Sequence, residues 1–240
     1  MCRSFGALTV ADHIDFALAP GARHALIGPN GAGKTTFVNL LTGALAPSSG
    51  KVLLAGEDVT GLAQERRAKR GIGRTFQINS LFRSLSVLDN VALAVAERRG
   101  LGRRMWRAAA GHAEVRTETE ELLETLGLGA DAGQRVSELP YGKQRLVEIA
   151  IALGMKPSVL LLDEPAAGVP SLESHRILEV LAALPAQIAV LIIEHDMDLV
   201  FRFARRITVL AAGAVLMEGE PQEVAADERV RSVYLGEQRA

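Results

Sequence analysis

The nine residues Gly28–Thr36, reading GPNGAGKTT, restrict this chain more than any other stretch. The apolar run His24-Ala25-Leu26-Ile27 precedes them and reads as a buried strand. Phe37-Val38-Asn39-Leu40-Leu41 follows, with apolar residues spaced for one side of a helix. Strand, glycine-rich turn and helix is the context in which G-x-x-x-x-G-K-[ST] folds around a phosphate. Gly31 and Gly33 allow backbone angles closed to residues with side chains, so successive N–H groups curl inward around an anion. The helix adds its free N–H groups and the positive end of its dipole. The expected contacts to a nucleoside triphosphate are Gly28, Pro29, Asn30, Gly31, Ala32, Gly33, Lys34, Thr35 and Thr36. Lys34 brings a full charge to the outer phosphates, and Thr35 offers a hydroxyl to Mg²⁺.

Bulk properties bound what else the chain can be. Its 240 residues suffice for one sizeable domain, or one with an inserted subdomain. At 48% hydrophobic and 23% charged it has an ordinary globular balance. A net charge of −1 gives no overall electrostatic footprint for nucleic acid, which is not expected as a partner. The single cysteine, Cys2, rules out a disulfide framework and fits a reducing compartment. The first residues lack the apolar core of a signal peptide, and no run approaches the roughly 18 apolar residues that span a bilayer. A cytoplasmic protein is expected, brought to a membrane only by a partner.

The remaining pattern alternates strands and helices. Residues 8–18 alternate in part and read as a short hairpin, with Pro20-Gly21 turning into the strand at 23–27. Lys51–Ala55 is a predicted strand, 62–70 a polar helix, and Ile72–Phe76 a strand ending at Gln77. Residues 78–156 then show few strand signals. Ser86–Arg99 has a serine cap and helical spacing, Ala113–Leu126 is an acidic amphipathic helix, and Gly142–Met155 is a third helix. The basic run Arg98, Arg99, Arg103, Arg104 and Arg107 around Trp106 reads as a solvated connection. Val159–Leu162 is apolar throughout, as in a strand buried on both faces of a parallel sheet. Further on come a helix over Ser171–Leu184, a buried strand at Ile188–Ile193, a helix at Asp196–Ala204, strands flanking Gly213, and short helices in the tail. The expected fold is α/β: a phosphate-loop (P-loop) NTPase with a mostly parallel core and an inserted helical subdomain. The divisions are 1–77, 78–156 and 157–240.

Ligands of open α/β sheets bind at the carboxyl ends of the strands. Asp163 and Glu164 end one apolar strand there. Asp163 suits a hard cation that keeps several waters, and Glu164 suits polarising the water that attacks a γ-phosphate. His195 follows another apolar strand and is placed to hydrogen-bond that phosphate. The Gln77 amide oxygen is a further candidate for the metal and the attacking water.

In order, Gly28–Thr36, Gln77, Leu139-Pro140-Tyr141-Gly142-Lys143-Gln144, Val159–Glu164 and His195 resemble the nucleotide-binding subunits of ABC transporters, over essentially the whole chain. GIGRTFQINSLFRSLSVLDNV at 71–91, EPAAGV at 164–169, EHDMDLVF at 194–201 and VYLGE at 233–237 narrow this to the ATPase subunits of branched-chain (hydrophobic) amino acid importers. The resemblance implies two subunits sandwiching two ATP molecules with Mg²⁺. Each ATP would lie between one phosphate loop and the other subunit's signature segment, here Tyr141, Gly142, Lys143 and Gln144. It implies permease subunits in the membrane, a homodimer or a heterodimer with a paralogous ATPase, and an external binding protein contacted only indirectly. It also implies a RecA-like core with a small antiparallel β-subdomain, and adenine stacking by Phe5; the strand that usually precedes Phe5 is missing, so either the start is truncated or that small sheet is short. The segment departs from the family's usual L-S-G-G-Q at Pro140, Tyr141 and Lys143, and Pro170 replaces a usual Asp or Asn. Other ABC systems are the alternatives: a lipopolysaccharide-type exporter, a urea or amide importer, or a soluble ABC ATPase.

Lys34→Ala is expected to abolish high-affinity ATP binding. Unchanged nucleotide affinity by calorimetry would contradict the phosphate-loop assignment.

Overall fold

The apolar runs of the sequence become a six-stranded sheet in the computed structural model, which describes residues 1–6, 8–75, 81–101 and 112–237. Its strands are β3 (Arg23–Ile27), β6 (Ile72–Arg74), β7 (Val159–Asp163), β8 (Ala189–Ile193), β9 (Arg206–Ala211) and β10 (Ala214–Gly219), in the order β10-β9-β3-β8-β7-β6. All pairings are parallel except that of β10 with β9. The central strands β3 and β8 are buried at every position, because helices cover both faces.

Two apolar layers flank the sheet. One holds Leu26, Leu161, Leu191 and Ile193 against Phe37, Val38 and Leu40 of α1 (Lys34–Thr42). The other runs from Leu160, Leu162 and Ile192 through α5 (Tyr141–Gly154) to Val91 of α3 (Val87–Arg98) and Leu123 of α4 (Ala113–Thr125). The helices of the 78–156 stretch therefore share one continuous core with the sheet. Ser86 caps α3 as expected, its hydroxyl accepting from the Asp89 N–H at 3.0 Å. On the same face, α6 (Ser171–Ala182) and α7 (Met197–Phe203) follow β7 and β8, while α8 (Pro221–Ala226) and α9 (Glu228–Glu237) close the chain.

The structure differs from the sequence reading at the first hairpin. The ladder joins β1 (Arg3–Phe5) to β2 (Leu8–Ala11), not two halves of 8–18. Gly6 turns at φ 58°, and the ladder stops at Asp12, whose N–H goes to Gly213 O at 2.8 Å. Ile14, Phe16 and Leu18 still alternate inward onto the core, Phe16 edge-on to His24 and Phe37. They do so as extended chain without strand partners among the described residues. The 51–55 strand shrinks to β4 (Leu53–Leu54), paired with β5 (Glu57–Asp58), because Ala55 and Gly56 turn at φ 50° and 82°. Of the basic run, Arg98 and Arg99 are not simply solvated: both bind Glu118. Arg103, Arg104, Trp106 and Arg107 lie outside the described residues.

Two buried arginines gather carbonyls where chain segments end together. Arg23 donates to the carbonyl oxygens of Ala182, Leu184 and Ile188, joining β3 to the α6–β8 connection. Arg67, on α2 (Gln64–Lys69), is 1% exposed. It donates to Leu40 and Leu41 at the C-terminus of α1, and to Thr60 and Leu62. The positive charge suits the negative end of the α1 dipole and satisfies carbonyls that the helix cannot.

Arg67→Met keeps the apolar stem and strands those carbonyls. It is expected to lower stability by roughly 3 to 5 kcal/mol. Denaturant unfolding within 1 kcal/mol of the wild type would show that water takes over the arginine's bonds.

Candidate functional site

Strand register sets the site. Leu26 of β3 pairs with Ile193 of β8, and Ile193 pairs with Asp163 of β7. The carboxyl ends of three adjacent parallel strands thus finish level, and the segments following them share one edge of the sheet.

From β3 the chain enters the glycine loop. Gly28, Gly31 and Gly33 have φ of 152°, 76° and 97°, so each takes a conformation that disfavours a side chain. Space adds to this at two of them: a Cβ would lie 2.2 Å from Leu210 O at Gly28, and 2.6 Å from Val10 O at Gly33. Gly33 is the N-cap of α1, where Ser or Thr is common, because the left-handed angle is needed there. Lys34 arches back over the loop, Nζ donating to the carbonyls of Gly28 at 2.5 Å and Pro29 at 2.9 Å. Asn30, Gly31 and Thr35 are exposed, Ala32 is buried, and Pro29 and Thr36 are half-buried.

At the end of β7, Asp163 is 6% exposed and faces Arg74 Nη2 at 3.4 Å. Burial pushes its carboxyl above the ordinary range, with the charge of Glu164 acting the same way and Arg74 and Lys34 opposing. Arg74, which the sequence reading did not single out, also donates to Asn39 Oδ1 of α1 at 2.7 Å. It ties the phosphate-loop helix to the acidic strand end. Glu164 has φ 46°, a left-handed conformation for a residue with a side chain, and its N–H is fixed to Ile193 O at 2.9 Å. Its carboxylate meets His195 Nδ1 at 3.5 Å, and both side chains reach solvent. The structure therefore brings Glu164 and His195 together, as two strands ending side by side should.

Glu194 was also missed. It is 2% exposed and accepts from the N–H groups of Ala166 and His195, both at 3.3 Å. Burial raises its carboxyl above the ordinary range. It holds the 164–168 loop against the residue that carries the candidate imidazole. Its sequence signals were a charge directly after an apolar strand and its place at the head of EHDMDLVF, and neither assigned it a role.

The remaining expected residues sit elsewhere. Tyr141 is exposed at the start of α5, with the Arg145 guanidinium 5.3 Å from its ring centre. Gly142 is covered by the Glu173 carboxylate, into which a Cβ would run at 2.0 Å. Lys143 is not free for an anion: Nζ binds both oxygens of Asp131 at 2.8 Å. Gln144 Nε2 donates to Leu139 O at 2.9 Å, closing the first turn of α5. Phe5 is half-exposed on β1, with the Arg3 guanidinium 4.5 Å over its ring. Its hairpin borders the phosphate loop through Val10. Gln77 lies outside the described residues.

Comparison with known proteins shows the family. Residues 11–167 match the family model described as ABC transporter, and residues 214–240 match that of the branched-chain amino acid ATP-binding cassette transporter. The high-affinity branched-chain amino acid transport ATP-binding protein LivG of Escherichia coli K12 is 38% identical, over 97% of this chain and 94% of its own. BraF of Pseudomonas aeruginosa, described in the same words, is 36% identical over the same shares. Among solved structures, the ADP conformation of MJ1267, an ATP-binding cassette of an ABC transporter, superposes with a TM-score of 0.87 at 30% identity. That match covers 98% of this chain and 96% of that one.

Arg74→Gln removes a charge that favours the ionised form of Asp163 against the effect of burial. The acid limb of kcat/KM for nucleotide hydrolysis should therefore move to higher pH. A limb unmoved from the wild type would show that Arg74 does not tune Asp163.

Proposed function

Because the chain belongs to the ABC transporter family, as an ATP-binding and hydrolysing subunit homologous to branched-chain amino acid importer ATPases, we propose that it powers import of branched-chain or other hydrophobic amino acids by ATP-driven dimer closure. The observation that carries this reading is the meeting of Gly28–Thr36, Asp163, Glu164 and His195 along one edge of the sheet.

The roles follow from position. The N–H groups of residues 28–36 and Lys34 take the phosphates. The all-oxygen pair of the Thr35 hydroxyl and the buried Asp163 carboxylate fits Mg²⁺, with Gln77 as a third donor. When bound, the ion neutralises charge on the phosphate oxygens. Glu164 positions and polarises the attacking water. His195 hydrogen-bonds the γ-phosphate, held in place by Glu164 and by the Glu194 contact to its own N–H. Phe5 stacks on adenine, with a base-stacking contribution of roughly 1–3 kcal/mol by analogy.

A second subunit, identical or paralogous, completes each site with Tyr141, Gly142, Lys143 and Gln144. The N-terminus of α5 presents its dipole to the γ-phosphate. Lys143 reaches that phosphate only by leaving Asp131, so backbone N–H groups make the main contact. ATP then binds the closed dimer more tightly than the open one, and hydrolysis removes the difference.

No helix among the described residues is long and apolar enough to cross a membrane. As a member of a transporter family, the chain is held peripherally on the inner face of the membrane by permease subunits, in contact with an external binding protein only through them. A groove of about 240 Å³ between β6, α2 and α5, lined by Thr42, Gln64, Ala68, Gly73, Ile151 and Met155, is the surface proposed for them.

Glu164→Gln should bind Mg·ATP, hydrolyse it slowly, accumulate as a dimer in size-exclusion chromatography, and carry permease subunits out of detergent-solubilised membranes. Wild-type turnover would remove Glu164 as the water-positioning group. Recovery of an exporter's membrane subunits would overturn the import assignment.

A further inference from the structure

Cys2, Asp12 and His13 play no part in the nucleotide site, yet they place three kinds of metal-ligating atom at one point. A thiol sulfur, a carboxylate oxygen and a ring nitrogen all lie within 4.8 Å of one another. His13 Nδ1 is 2.6 Å from Asp12 Oδ1, and the His13 N–H donates to Cys2 Sγ at 3.3 Å.

The three backbones are held, which separates this group from a chance gathering of exposed side chains. Cys2 N–H donates to Ser49 O at 2.9 Å, and Cys2 O accepts from Ser48 N–H at 2.8 Å. Asp12 N–H is fixed to Gly213 O. Met1 and Ile14 exchange two hydrogen bonds, Ile14 N–H to Met1 O at 2.9 Å and the Met1 amine to Ile14 O at 2.7 Å. That pair clamps the residues just outside Cys2 and His13. His13 itself has φ 46°, unusual for a residue with a side chain and kept only where the surroundings fix it. This turn sets its ring on Asp12 and its N–H on the sulfur.

We infer that Cys2, Asp12 and His13 form a binding site for a borderline divalent transition metal, zinc above all, that staples the open end of the β1–β2 hairpin. Thiolate, imidazole and carboxylate make a three-ligand zinc set, with a fourth position for water. The sulfur selects against Mg²⁺ and Ca²⁺, so this site is chemically distinct from the one at Asp163. Binding releases the thiol proton. The stapled hairpin is the one whose Val10 carbonyl borders Gly33 and Gly213, so the metal fixes the strand lying along the phosphate loop. The inference rests on residues 2, 12 and 13 alone and stands apart from the transport reading.

The test uses the purified full chain without nucleotide, with Co²⁺ and Zn²⁺ as probes. One equivalent of Co²⁺ should give a thiolate-to-cobalt charge-transfer band. Competition against a chromophoric chelator should give a zinc affinity that falls about tenfold or more in Cys2→Ser and in His13→Gln, while His175→Gln binds as the wild type does. Zinc should also slow alkylation of Cys2 in the wild-type protein, a measurement that needs no variant to fold. Zinc affinity unchanged in the Cys2→Ser/His13→Gln double variant, no sulfur band, or no protection of Cys2 would each overturn the site.

Discussion

The level ending of β3, β8 and β7 is the geometric fact on which the site depends. Parallel pairing holds Leu26, Ile193 and Asp163 in one row. A register slip would turn each strand's side chains to the opposite face, and it would separate the glycine loop from the carboxylates. With both faces of β3 and β8 buried, a one-residue slip would push Leu26 and Ile193 into the layer built around Ile27 and Ile192 and disrupt the packing of both. The apolar core therefore fixes the chemistry indirectly.

Charge is then balanced locally. Asp163 is nearly buried and disfavoured as an anion, and Arg74 offsets that cost while reaching Asn39 on the helix of the phosphate loop. Glu164 is left near solvent beside His195. Two adjacent carboxylates thus have different surroundings, as divided roles in cation binding and water activation require. Glu194 uses its burial differently, accepting backbone N–H groups that tie the 164–168 loop to residue 195.

The helical part follows the same logic with a different outcome. The first turn of α5 has its side chains committed within its own neighbourhood: Lys143 to Asp131, Gln144 to Leu139, and Glu173 over Gly142. What remains available at that helix end is backbone and the exposed ring of Tyr141. Substitutions such as Pro140 and Lys143 therefore change the side-chain surroundings of the turn more than its dipole, which comes from the aligned peptide units of α5.

Much of this was legible in residues 1–240 alone, because local patterns have local causes. Glycines at 31 and 33, apolar runs at 159–162 and 188–193, and a serine before 87 each fix the backbone nearby, and the strands and helices formed where they were expected. The true first hairpin, the Arg74–Asp163 pair, the Lys143–Asp131 pair, the buried Glu194 and the meeting of Cys2 with Asp12 and His13 were not legible. The hairpin itself is local, but the ladder stops where Asp12 is taken by Gly213; the others depend on which separate segments become neighbours, and no residue carries that information alone. Pattern names the elements because side chains bias their own backbone; folding chooses the pairings because burial and charge are settled between elements.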